Sequence, residues 1–128
     1  NEGADIKVQG KNGIQPIHAA AQSGCADTVD LLLDKGADVE ATTANGETAL
    51  HLAAQEGWEE VVQLLMWEQP KKEARTNTGK TALHLAALNG HAKVLETLLN
   101  YGADITASDH GGFMALGLAA QNHKEDIV

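Results

Sequence analysis

The sequence predicts an all-α solenoid, a row of stacked helix-turn-helix units, and three observations predict it. The stretch from Asn45 to Gly57 returns 33 residues later as Thr78 to Gly90, with no insertion between the copies. A weaker copy lies 33 residues earlier, Asn12 to Gly24, and a fading fourth runs from Gly111 to His123. Self-similarity at such a period marks units that bury their apolar faces only against their neighbours. Composition agrees: 43% of the residues are hydrophobic but only 3% aromatic. The core is therefore Ala, Leu and Val, whose small side chains let helices lie close together in thin layers.

Each unit reads in three parts. An extended segment and tight turn comes first, as in Val39 to Gly46, where Asn-Gly or Gly-Gly supplies the positive φ of the turn. A short helix follows, roughly Ala49 to Glu56, with Thr48 as its N-cap and Gly57 ending it in the left-handed conformation. A second helix runs roughly from Glu59 to Trp67, with Val61, Val62, Leu64 and Leu65 facing inward. In the other copies Thr28 to Leu33 and Val94 to Leu99 carry the inner stripe, and Gly36 and Gly102 terminate it. The result is a single domain over 1–128, with repeats at about 10–42, 43–75, 76–108 and a partial 109–128. Gly3-Ala-Asp-Ile6 has the form of a repeat's end, and Ile127-Val128 matches Val61-Val62. The chain is therefore expected to be a piece of a longer one, with apolar surface exposed at one end at least.

Charge narrows the function classes. The net charge is -9, and the nine Lys and Arg residues are spread thinly, so the basic stripe that nucleic acid requires is missing. No apolar run is long enough to span a bilayer and no leader pattern opens the chain; membrane insertion is not expected. The single Cys25 forbids an intrachain disulfide and fits a reducing, intracellular compartment, cytoplasm or nucleus. It is expected to be a buried free thiol.

Thr-Ala-Leu-His-Leu-Ala-Ala at 48–54 and 81–87, followed by Gly57 and Gly90, resembles the ankyrin repeat, and the resemblance covers the whole chain in register. It implies an ankyrin-repeat solenoid of L-shaped units. Each is a β-hairpin finger followed by two antiparallel helices, stacked into a slightly curved array. Members of the family act as binding modules, mostly for proteins, through the fingertips and the concave face of the first helices.

Several positions depart from the family pattern. Gln15-Pro16-Ile17-His18 loses the Thr cap but keeps Pro at the first helical position, where it fits. Met114-Ala-Leu-Gly117 loses both Thr and His, so the last repeat should be the least stable. Where the family prefers Asp before the turn glycine, Gly10, Thr43 and Thr76 stand instead, and only Asp109 complies. Gln69-Pro70-Lys71 replaces Gly-Ala-Asp, which makes the joint near Gln69 the candidate for an irregular connection.

Two apparent sites dissolve on inspection. His18, His51 and His84 fall in one column. Packed helices lie roughly 8–10 Å apart, whereas two nitrogens on one zinc lie within about 4.2 Å of each other. The imidazoles are expected to tie neighbouring fingers by hydrogen bonds, and no metal or cofactor is expected. The stretch Ala74 to Thr81 fits a relaxed phosphate-loop pattern. However, the polar run Glu68 to Glu73 before it cannot be a central strand, and Gly79-Lys80-Thr81 is in register with Gly46-Glu47-Thr48. No nucleophile elbow or recurring carboxylate pair is present, so no catalysis is expected.

Surface positions separate from the framework because they vary down the columns. On the fingers these are Ile14, Glu47, Lys80 and Phe113; Lys11, Ala44, Asn77 and His110; and Arg75 with its equivalents. On the first helices they include Gln55, Leu88, Glu56 and Asn89. The expected partner-binding set is Lys11, Ile14, Glu47, Gln55, Glu56, Arg75, Asn77, Lys80, Leu88, Asn89, His110 and Phe113, with Phe113 and Arg75 as anchors. The ligand class is a protein or peptide, bound by a chain expected to be monomeric unless its cut ends associate. The alternative is a regulatory or autoinhibitory segment acting in cis on a larger enzyme, channel or receptor. Trp58 and Trp67 lie outside this face. Both rings are expected to cover the Gln69 joint, the alternative being a second contact surface on the convex side.

Overall fold

The computed structural model describes residues 13–68 and 74–104. Six helices lie among them: α1 (Pro16–Ser23), α2 (Ala26–Asp34), α3 (Ala49–Glu56), α4 (Glu59–Trp67), α5 (Ala82–Leu88) and α6 (Ala92–Asn100). Within each layer the pairs α1/α2, α3/α4 and α5/α6 pack together. Between layers α3 lies against both α1 and α5, and α4 against both α2 and α6, giving two parallel rows of helices. This is the all-α solenoid that the repeat predicts.

The first helices are short and rich in alanine, and they begin and end on specific residues. Thr48 has extended backbone, and its Oγ1 accepts the His51 N–H at 3.3 Å while its own N–H donates to His51 Nδ1 at 2.9 Å. Thr81 and His84 repeat the reciprocal cap at 3.3 and 3.0 Å. Two of the donors left over at a helix start are thereby satisfied by one residue pair. In α1, Gln15 takes the cap position, Pro16 follows at the first turn, and the Gln15 N–H still reaches His18 Nδ1 at 2.9 Å. At the other end Gly57 turns left-handed, φ 83°, and lets Trp58 N–H return to Ala53 O at 3.0 Å.

The fingers are tight turns, without strand pairing among the described residues. Thr43 N–H donates to Glu47 O and Gly46 N–H to Thr43 O, both at 2.9 Å. The Thr43 hydroxyl oxygen also accepts from Asn45 N–H at 3.2 Å and Glu47 N–H at 3.3 Å. Thr76 does the same for Thr78 and Lys80 at 3.4 and 3.2 Å. A threonine hydroxyl thus does the work for which the family pattern uses an aspartate, which is why the departure at these positions is harmless.

The core is one continuous seam of small and branched side chains. Ala53, Ala54, Ala86 and Ala87 are fully buried where α3 meets its neighbours, while Val61, Val62, Leu65, Val94 and Leu98 fill the space behind. Three expectations need correction. Leu64 is only half-buried and Met66 is buried in its place, at 3% exposure, while Thr28 is exposed. Val29 is the one buried residue of α2, and Leu31 stays 53% exposed. Cys25 is exposed, not buried. It stands at the N-cap of α2 and makes no side-chain capping hydrogen bond there. The last repeat and the joint at 69–73 lie outside the described residues.

Candidate partner-binding face

Successive layers are joined by side chains that recur at the repeat period. Both ring nitrogens of His51 are engaged. Nδ1 accepts the Thr48 N–H, so the proton sits on Nε2, which donates to Ala74 O in the next finger at 2.8 Å. His18 makes the equivalent link to Ala41 O at 2.9 Å. These hydrogen bonds between layers are the role that the sequence assigns to the column. A second set runs the opposite way. Trp58 Nε1–H donates to Gln22 O at 2.8 Å, and His91 Nε2–H to Gln55 O at 2.9 Å, each from the start of a second helix back to the preceding first helix. The Trp58 ring lies so close to Gly24 that a Cβ there would stand 2.6 Å from it. Its place is therefore the end of α1, a correction to the expected cover over Gln69. The signal was present in the column Cys25, Trp58, His91: only the last two can donate from a ring.

These ties fix what remains outside. Finger is bonded to finger: Asn77 N–H donates to Asn45 O at 3.0 Å and Asn77 Nδ2 to Ala44 O at 2.9 Å. Arg75 is exposed and braces its own finger, Nη1 donating to Gly79 O at 2.8 Å. Glu47 and Lys80 are half-buried beside them, with Glu47 Oε1 accepting from Thr43 Oγ1 at 3.3 Å. Gly79-Lys80-Thr81, the former phosphate-loop candidate, is the finger turn and the α5 cap. On the first helices Glu56 and Asn89 are exposed, Gln55 and Leu88 half-buried, and Asn89 Nδ2 donates to Leu85 O at 3.0 Å. Ile14 is half-buried ahead of α1. Two groups thus emerge, one on the fingers (Glu47, Arg75, Asn77, Lys80) and one at the ends of α3 and α5 (Gln55, Glu56, Leu88, Asn89). Lys11, His110 and Phe113 lie outside the described residues.

A pocket among the described residues lies elsewhere. It holds about 460 Å³ between α4 and α6, lined by Glu60, Gln63, Leu64, Trp67, Thr97, Asn100 and Tyr101. No described helix is long and apolar enough to cross a membrane.

Comparison with known proteins agrees with this geometry. A family model described as ankyrin repeats (three copies) matches residues 2–75, 17–109 and 59–128, which together take in nearly the whole chain. No curated protein matches it. With matches over nearly all of its length, the chain belongs to the ankyrin repeat family.

Proposed function

We propose that this chain is a protein-interaction module that binds a partner protein or peptide through its fingertips and the concave face of its first helices, without catalysis, inside the cell. Ankyrin repeats are in general protein-interaction modules. The observation that carries the finer reading is the hydrogen-bonded ledge of fingers, where Asn77 joins Ala44 and Asn45 across layers. A ledge ordered before binding loses little conformational freedom when a partner docks, so more of the contact energy appears as affinity. Glu47 with Arg75 and Lys80 gives the fingers a mixed-charge strip that orients a partner and sets register.

The test is capture of partners from a lysate, followed by affinity measurement with the captured protein against surface variants. Arg75→Ala and Glu56→Arg should each weaken binding by about tenfold or more, equivalent to roughly 1.4 kcal/mol, with the far-ultraviolet spectrum unchanged. Phe113→Ala should also weaken binding without lowering the melting temperature. Undiminished affinity in all three variants would remove the partner from this face.

A further inference from the structure

The groove between α4 and α6 belongs to the second helices, away from the fingers, and the proposed function does not use it. Trp67 stands 77% exposed at its edge and Tyr101 42% exposed beside it. The framework does not require either ring. At the positions equivalent to Trp67 the neighbouring repeats carry Asp34 and Asn100, and at those equivalent to Tyr101 they carry Lys35 and Glu68. The helices end equally well on those polar residues. An aromatic pair contributed by two adjacent layers and left in water is the feature that marks contact surfaces.

The polar lining selects the occupant. Glu60, Gln63 and Asn100 bring acceptor oxygens to the groove, and Glu60 is exposed. Exposed Glu68 follows Trp67, and exposed Glu96 lies on α6. Lys93 is the one cation on the two helices, against Glu59, Glu60 and Glu96, in a chain of net charge -9. Aromatic faces beside carboxylates suit a guanidinium or ammonium group, which stacks on the ring while the acid balances its charge. The two helices run side by side, a channel into which another helix can lay its apolar side.

We propose that the α4/α6 groove is a second docking site, for a basic amphipathic protein segment whose apolar residues cover Leu64, Trp67 and Tyr101 and whose Arg or Lys side chains face Glu60 and its neighbouring carboxylates. The site is independent of the fingertip face, so a partner can be held on each at once.

The probe is a synthetic amphipathic peptide of Leu, Ala and Arg, with a control in which every Arg is Glu, titrated into the whole chain while the two indole N–H signals are followed by NMR. The basic peptide should bind with micromolar affinity, weaken as salt is raised, and move the Trp67 signal while leaving that of Trp58 in place. Trp67→Ala and Glu60→Lys should each weaken it by about tenfold or more. Their melting temperatures should stay put, because both residues are exposed. Glu56→Arg, on the other face, should leave it unchanged. The proposal is overturned if the acidic peptide binds equally well or if Trp67→Ala binds undiminished. It is also overturned if the signal stays still, or if phosphatidylcholine vesicles or a Trp67-dependent self-association seen by sedimentation occupy the groove instead.

Discussion

His51 shows at the scale of one residue how this fold is held. Its Nδ1 accepts a hydrogen bond from Thr48 N–H and its Nε2–H donates one to Ala74 O, so it caps a helix and joins two layers together. Burial holds its pKa below the ordinary 6.5, against the opposing pull of backbone hydrogen bonds at Ala74 and Lys80 and of the Glu40 charge. Because the folded value is the lower one, the unfolded chain takes up a proton that the folded chain resists. The stability due to this residue is full above about 6.5 and declines as pH falls from there toward the lowered value. The wild-type melting temperature should therefore drop between about pH 7.5 and pH 5.5, and His51→Gln should flatten that drop; an unchanged slope would place the titrating group elsewhere. At neutral pH the same substitution should cost about 1–3 kcal/mol in chemical denaturation, through the buried groups it leaves unpaired. The column of histidines and its hydrogen-bonding role were legible in the sequence. The turn threonines were not, because Thr43 and Thr76 look like losses until their hydroxyls are seen accepting two backbone N–H groups each.

Among the elements, the helices were the most legible part. Both α3 and α4 run over the residues expected, since Thr48 and Gly57 set their limits by local chemistry alone. Thr48→Ala should cost about 1 kcal/mol. Gly57→Ala should cost more than the roughly 1–2 kcal/mol of a left-handed non-glycine residue, because a Cβ there would meet His91 Nδ1 at 2.5 Å. A smaller loss in thermal denaturation than for Thr48→Ala would mean that the Gly57–His91 contact gives way. What the sequence did not reveal was which side of each second helix is covered. Leu64 and Met66 are both apolar, and only the position of α6 decides that Leu64 lines a groove while Met66 goes inside. Trp58 escaped for a related reason: its hydrogen-bond partner Gln22 is 36 residues away, in another layer.

For the molecule as a whole, the period settled the architecture and the family, because an uninterrupted repeat permits only one way to bury every layer. The proposed partner face rests on columns of unlike residues, whose bonding was not legible in the sequence: Asn77 and Arg75 brace the fingers. The solenoid is built from equal steps from layer to layer. Glu56 and Asn89 occupy the same exposed position as Ser23 in successive repeats, so they mark those steps. With Cys25→Ser as background, spin labels at pairs of these positions can be measured by electron paramagnetic resonance. A linear stack predicts equal 23–56 and 56–89 distances of about 10 Å between backbones, one helix-packing step each, and a 23–89 distance close to their sum. A 23–89 distance no longer than either of the others would contradict it.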